Sequence, residues 1–398
     1  MSAILLASLM GAMTSCKKDN NNMSQTLRGA FVVENTAVIK DFVESGTFRG
    51  TGTPPVVFPG QTINFKFHAG KGQRLMFTTM YGASKDWFFA PENPGIALYN
   101  ESGLPITGDI SNQIKLWDNG SKDNMTGAVE SKPITMVTMV NASSLMKLNL
   151  SYQADLSEFT LSISNTSGGT TNETPFSPGV WAISNVLGGA LLNNEPFYKM
   201  GMLTNPEITA IAEGGNNIPL ATKTMTATGV ITGLSPVLIV VYQGNMNPIF
   251  QAGTKDMNNG LKEVAQMGDP AKLKNYLMQK QGIKKVYVAG DAPIAPGAKV
   301  SVQIESNPGD KIAYVTMFGY SNDWFYANEG EVSAQTKGDL TAKTALFNDG
   351  TAVDQYPGAG NNQALFGGKA ILESKDISKV GTMYPVPQVS SVIKVSYQ

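Results

Sequence analysis

Hydrophobic and polar residues alternate along several short stretches of this chain with a period of two. In "TINFKFHA" (62–69) Ile63, Phe65 and Phe67 share one face, and in "KVSVQIES" (299–306) Val300, Val302 and Ile304 do the same. Successive side chains of a strand point to opposite faces, so this period marks half-buried antiparallel strands. "SLMKLNLSYQ" (144–153) and "SVIKVSYQ" (391–398) alternate likewise. The pattern predicts short strands joined by turns, an all-β chain of antiparallel β-sandwiches.

The patterned segments also repeat. "FPGQTINFKFHAGKGQRLMFTTMYGASKDWFFA" (58–90) aligns without a gap to "APGAKVSVQIESNPGDKIAYVTMFGYSNDWFYA" (295–327). "GDISNQIKLWDNGS" (108–121) then matches "GDLTAKTALFNDGT" (338–351), and the blocks 128–153 and 370–398 both end on Ser-Tyr-Gln. Such self-similarity predicts one structural unit used twice. The shared ending places the expected boundary after Gln153, giving two tandem sandwiches over 27–153 and 154–398. Within the second, 176–221 echoes 234–274: each has a Ser-Pro opening a strand (Ser177-Pro178 and Ser235-Pro236) and a short helical pattern further on. Asp269 as N-cap, Pro270 at the first helical position and Gly282 beyond the end delimit one such helix. These helices read as accessories to the second sandwich, which makes the first a shortened copy.

Composition narrows the classes. A chain of 398 residues is long enough for two domains of ordinary size, and its 41 glycines suit a turn-rich fold. Only 15% of residues are charged and the net charge is −1, so no broad field exists to steer nucleic acid. The single cysteine, Cys16, follows an apolar run too short to span a bilayer but suited to a signal-peptide core. Thr14-Ser15-Cys16 resembles a bacterial lipobox, with Met13 in place of the usual Leu and no Lys or Arg ahead of the run. Residues 1–16 therefore read as a lipoprotein signal and 17–26 as a polar tether, with membrane contact through a lipid anchor only. That implies the cell envelope, as an outer-membrane lipoprotein facing the periplasm or the surface.

The chemistry-bearing residues are few. His68 is the only histidine and reads as a lone surface residue, which leaves no His-based zinc site, and no G-x-S-x-G or phosphate-binding glycine loop occurs. Carboxylates recur at loop positions: Asp86 precedes Trp87, Asp118 and Asp123 follow in "LWDNGSKDN", and Asp323 precedes Trp324. Loops rich in Asp, Asn and Gly supply the six to eight oxygens that calcium takes. The same residues also favour turns, and Asn119-Gly120 is a hairpin signal in its own right. Trp87 and Trp324 either anchor their loops in the core or line a binding surface.

Four features together resemble a known family: "SxDWF", the "LWDNGS" loop, the Ser-Pro that opens a strand, and "GLKEVAQMGDPAKL" (260–273). They are similar to the spondin N-terminal domain of F-spondin and mindin, and the resemblance covers about 158–398 in full and 27–153 in part. It implies C2-like or discoidin-like sandwiches, one calcium ion held by loops at one end, and extracellular adhesion without catalysis. By that resemblance the metal residues are Asp86 and Asp118 in the first unit and Asp323 and Asn348 in the second. The family's last acidic ligand falls on Lys122 and Ala352, with Asp123 a replacement in the first unit and Asp349 or Asp354 in the second. On this reading the first unit is the better calcium candidate and binding is weak. The expected function is a non-catalytic, calcium-assisted binding or adhesion module for a surface protein or glycan. The rivals are a metal-dependent hydrolase built on Asp86, Asp118 and Asp123, and a structural surface protein without metal.

Overall fold

The computed structural model describes residues 26–398; the signal, Cys16 and almost all of the tether lie outside the described residues. The longer strands are β1 (Leu27–Asn35), β2 (Phe42–Phe48), β3 (Thr62–His68), β4 (Arg74–Met80), β5 (Trp87–Pro91), β6 (Ile114–Asp118), β7 (Met146–Gln153), β8 (Glu158–Asn165) and β9 (Gly179–Ser184). They continue as β10 (Val237–Tyr242), β11 (Ile283–Ala289), β12 (Lys299–Ser306), β13 (Lys311–Met317), β14 (Trp324–Asn328), β15 (Thr344–Asn348) and β16 (Ile393–Tyr397). Four helices of seven to nine residues accompany them: α1 (Pro206–Gly214), α2 (Ile218–Thr226), α3 (Leu261–Met267) and α4 (Ala271–Met278). The fold is all-β and its ladders are antiparallel.

Two sandwiches have the same strand order. In the first, the sheet β2-β9-β4-β5-β6 faces the sheet β3-β8-β7; in the second, β11-β10-β13-β14-β15 faces β12-β1-β16. Aromatic rings fill the gap between the sheets: Phe65 stacks on Trp181 at 5.2 Å and on Phe48 at 5.5 Å, and Phe31 meets Tyr314 at 5.2 Å. The strands of the smaller sheets alternate buried and exposed, as their period of two requires. β9 and β10, "GVWAIS" and "VLIVVY", are buried at every position. A continuous apolar run fits there because the larger sheet is covered on both faces, by the partner sheet on one and by helices on the other. Ile208, Ile211 and Ala212 of α1 pack on Met76, Phe88 and Trp117, while Leu261, Val264 and Ala265 of α3 pack on Leu238, Val315 and Phe325. Both sets follow the i, i+3, i+4 spacing of a helix face.

The helix ends show why the sequence echo between 176–221 and 234–274 is a structural one. Gly215 ends α1 and Gly268 ends α3, each with positive φ, and a Cβ at either would lie 2.9 Å from the Cβ of Ser177 or Ser235 respectively. Only glycine meets both demands. The start of α4 falls one residue later than the sequence suggests: Pro270 is the N-cap and Ala271 the first helical residue, while Asp269, just ahead of the cap, accepts the Ala271 N–H at 2.9 Å.

The sheets do not divide at Gln153. β7 and β8 form a hairpin with Gln153 opposite Glu158, and β8 and β9 both belong to the first sandwich. α1 and α2 cover the first sandwich, so the first unit is not a shortened copy and the helical layer is not confined to the second. β1 instead pairs with β12 and β16 of the second sandwich. The first sandwich is thus inserted between the first two strands of the second, and its own strands run in cyclically shifted order. The ends of the insertion are stitched together: Phe42 bridges Thr228, its N–H donates to Ala227 O at 3.1 Å, and its carbonyl accepts from Gly229 at 2.9 Å. Adjacent ends are what an inserted domain requires. The physical reason for the shift is edge pairing. β7 and β16 end on the same tripeptide, yet each needs a neighbour on its open edge, supplied by the next strand in one case and by the chain's first strand in the other.

Two loop apices form the candidate functional site

Each Asp-Trp motif sits at one end of its sandwich, where the turn before β5 or β14 meets the loop after β6 or β15. The serine of "SxDW" makes the turn: Ser84 Oγ accepts the Trp87 N–H at 2.8 Å and donates to Tyr81 O at 2.9 Å, and Ser321 does the same between Trp324 and Phe318 at 3.0 and 2.7 Å. The Asp that follows is thereby turned inward and the Trp opens the strand. Trp87 lies opposite Asp118, and Trp324 opposite Asn348.

At the first apex Asp86 is fully buried. Its Oδ2 accepts the N–H groups of Ser121 and Lys122 at 2.9 and 2.8 Å, which clamps the loop after β6. Its Oδ1 accepts from Asn124 Nδ2 at 3.1 Å, and the same amide donates to Asp118 Oδ2 at 3.2 Å. Asn124 Oδ1 accepts the Lys85 N–H at 3.1 Å, which fixes the amide with its NH₂ between the two carboxylates. Asp118 Oδ2 also accepts the Trp87 indole N–H at 3.0 Å, and its Oδ1 accepts from Gly120 at 2.8 Å. Burial raises the Asp86 carboxyl above its ordinary range; the Lys122 N–H opposes this, and neighbouring Asp118 adds to it. Asp123 does not join the pair. It accepts the Thr126 N–H and hydroxyl, each at 2.7 Å, within its own turn, and those bonds hold its carboxyl below the usual range.

The second apex has the same frame with two residue types exchanged. Asn348 stands where Asp118 does, and Asp354, six residues on, stands where Asn124 does. Asp354 accepts the Trp324 indole N–H at 2.6 Å on Oδ1 and Asn348 Nδ2 at 2.8 Å on Oδ2. Asp323 Oδ2 accepts the N–H groups of Thr351 and Ala352 at 2.7 and 2.8 Å, as Asp86 does with Ser121 and Lys122. The difference is at the other oxygen. Asp323 Oδ1 is buried without a partner, because the residue facing it is a carboxylate and not an amide. Burial, then Asp354, pushes the Asp323 carboxyl up to about 7, and burial pushes Asp354 up to about 6. Asp349 replaces Asn119, whose amide is satisfied by Thr204, Thr209 and Ser121. Asp349 Oδ1 is also buried and unpartnered, and burial followed by neighbouring Asp256 pushes it up to about 8.

The structure therefore joins Asp86 with Asp118 and Asp323 with Asp354, places Asn348 as a hydrogen-bond donor to Asp354, and leaves Asp123 outside. Asn124 went unassigned in the sequence, although the six-residue spacing of Asp118–Asn124 and Asn348–Asp354, with types reversed, marks the pair. Of the two replacements expected in the second unit, Asp354 faces Asp323 and Asp349 takes the place of Asn119. Trp324 is buried and Trp87 half-buried, against Phe318 at 5.8 Å and Tyr81 at 5.7 Å, so both indoles anchor their loops. Among the described residues no three acidic, histidine or cysteine side chains form a ready-made metal ligand set. A cation at the second apex would rest on the free Asp323 Oδ1 and the Asp354 carboxylate, completed by other oxygens. His68 is not a lone surface residue: its side chain is 14% exposed, Nδ1 lies 3.2 Å from Glu44, and the ring stacks on Tyr356 of the second sandwich at 4.9 Å. No family model matches the chain, and no curated protein is similar to it.

Proposed function

We propose that this protein is an exported, lipid-anchored module of the cell envelope that binds a surface protein or glycan through its loop apices, without catalysis and with calcium at the second apex. The spondin-like motifs and the lipobox-like Thr14-Ser15-Cys16 support this reading from the sequence. The observation that carries the cation is the buried, unpartnered Asp323 Oδ1 beside Asp354. A buried carboxylate pair with an empty acceptor costs stability unless a proton or a cation intervenes. At the first apex the Asn124 amide already stands between the carboxylates, so the second apex is the better candidate, the reverse of the ranking by charge count.

The binding reading has its own support at the surface. Val129 pairs with Lys122 and Leu372 with Ala352 at the same bridge in each loop, and these aliphatic residues are 87% and 65% exposed. Met125, 92% exposed, adds to the first apex. Exposed apolar groups beside a rigid loop suit contact with a partner. Calcium would neutralise the apex and fix the loop that presents them; the carboxylates themselves hold loops in place.

Calorimetric titration of the protein with calcium, alongside Asp323→Asn and Asp86→Asn, tests the reading. Binding in the roughly 10⁻⁴–10⁻³ M range of extracellular modules, lost in Asp323→Asn and kept in Asp86→Asn, is the expected result. Heat that survives Asp323→Asn would remove the second apex as the site.

A further inference from the structure

The loop that leaves the second apex does more than close it. Between the bridge residues Lys122 and Val129 the first loop uses residues 123–128, whereas between Ala352 and Leu372 the second uses 353–371. The added chain crosses to the first sandwich. Gln355 Nε2 donates to Asp155 O at 3.0 Å, the Asn361 N–H donates to Ser157 Oγ at 2.7 Å, and Gln73 Nε2 donates to Gly358 O at 2.9 Å. Tyr356 stacks on His68, and Phe366 lies so close to Gly70 that a Cβ there would fall 2.3 Å from its ring. At its root the same segment is bound to the apex: Asp354 through Trp324 and Asn348, and the Gln355 N–H to Asn322 Oδ1 at 3.0 Å. Asn322 immediately precedes Asp323.

We propose that a divalent cation at the second apex acts as a latch that holds segment 355–366 docked on the first sandwich. This rests on the cation reading above. Asp354 is both the residue that faces Asp323 and the residue at the root of the docking segment, immediately before Gln355. Without a cation the two carboxylates repel each other, and the movable member is Asp354, which carries Gln355 and Tyr356 with it. A cation shared between them removes the repulsion and fixes the root of the segment. The first apex needs no latch, because its amide is built in and its short loop makes no comparable crossing. Coupling of this kind is reciprocal: what calcium adds to docking, docking adds to calcium affinity.

Hydrogen exchange on the full chain, read separately at 320–324, at 355–366 and at 68–73 with 154–157, tests the latch. Millimolar calcium is expected to slow exchange in all three regions, and Tyr356→Ala is expected to weaken calcium binding by roughly fivefold or more, within the usual range of allosteric coupling. The double exchange Asn348→Asp with Asp354→Asn recreates the first apex and should keep 68–73 protected with or without calcium. Protection confined to 320–324, with 68–73 and 154–157 unchanged, would overturn the latch while leaving the cation site standing. No protection at 320–324 would overturn both.

Discussion

The two apices share one backbone frame and differ in which of two positions carries the charge. In the first, Asp118 is the acid and Asn124 the amide; in the second, Asn348 is the amide and Asp354 the acid. Both arrangements give the indole a carboxylate acceptor and join acid to amide. Only the first also gives the buried Asp a donor for its second oxygen. Exchanging acid and amide between these two positions changes a satisfied network into one with an unmet acceptor, and a buried polar group costs more when unpaired than it contributes when paired.

The largest effect should come from breaking the first apex. Asn124→Asp removes the donor that Asp86 and Asp118 share and adds a third carboxylate, so the loss is expected to be about 3 kcal/mol, read from urea unfolding without divalent cations. Next, Trp324→Phe deletes a charge-assisted bond in a buried setting and should cost about 2 kcal/mol; Trp87→Phe, half-buried, should cost less. A smaller loss there than at Trp87 would mean that the second carboxylate is not charged in the fold.

The pH response sharpens the comparison further. Asp323, Asp349 and Asp354 sit at about 7, about 8 and about 6 in the fold, well above the ordinary aspartate value of about 3.9. Between those limits the folded chain holds protons that the unfolded chain has released, so folding stability is highest in acid and falls as pH rises through the window. In chelator the fall from about pH 5 to about pH 8 should amount to at least about 1.4 kcal/mol, one pKa unit's worth. Calcium should restore it at the upper end, and Asn348→Asp with Asp354→Asn should flatten the curve in part, leaving the contribution of Asp349. A stability that rises with pH across this range would show the second apex to be satisfied by other means. The smallest effect is expected at Asp123→Ala, whose carboxylate only ties its own exposed turn: no measurable change in unfolding midpoint or calcium heat.

Much of this was readable in the sequence. Period-two alternation in 62–69 and 299–306 gave strands where strands are found, and the gapless match of 58–90 to 295–327 pointed to two Asp-Trp turns in one setting. Ser84 and Ser321 act alike because a local turn needs only local residues. The site was only partly legible: Asp86, Asp118, Asp323 and Asp354 stood out as acids, while Asn124 did not, because an amide earns notice only once its NH₂ is seen between two carboxylates.

What the chain determined by itself was local: period, turn chemistry, caps, and the repeat that lets one unit be recognised in two places. What only the tertiary structure decided was who pairs with whom. β1 completes the second sandwich, and β8, β9, α1 and α2 complete the first, because open sheet edges are filled by whichever strand reaches them, and no local pattern encodes that choice. The same holds for the carboxylates. Their types are written in the sequence, but whether Asp323 Oδ1 meets a donor depends on which residue the folded loop brings opposite it.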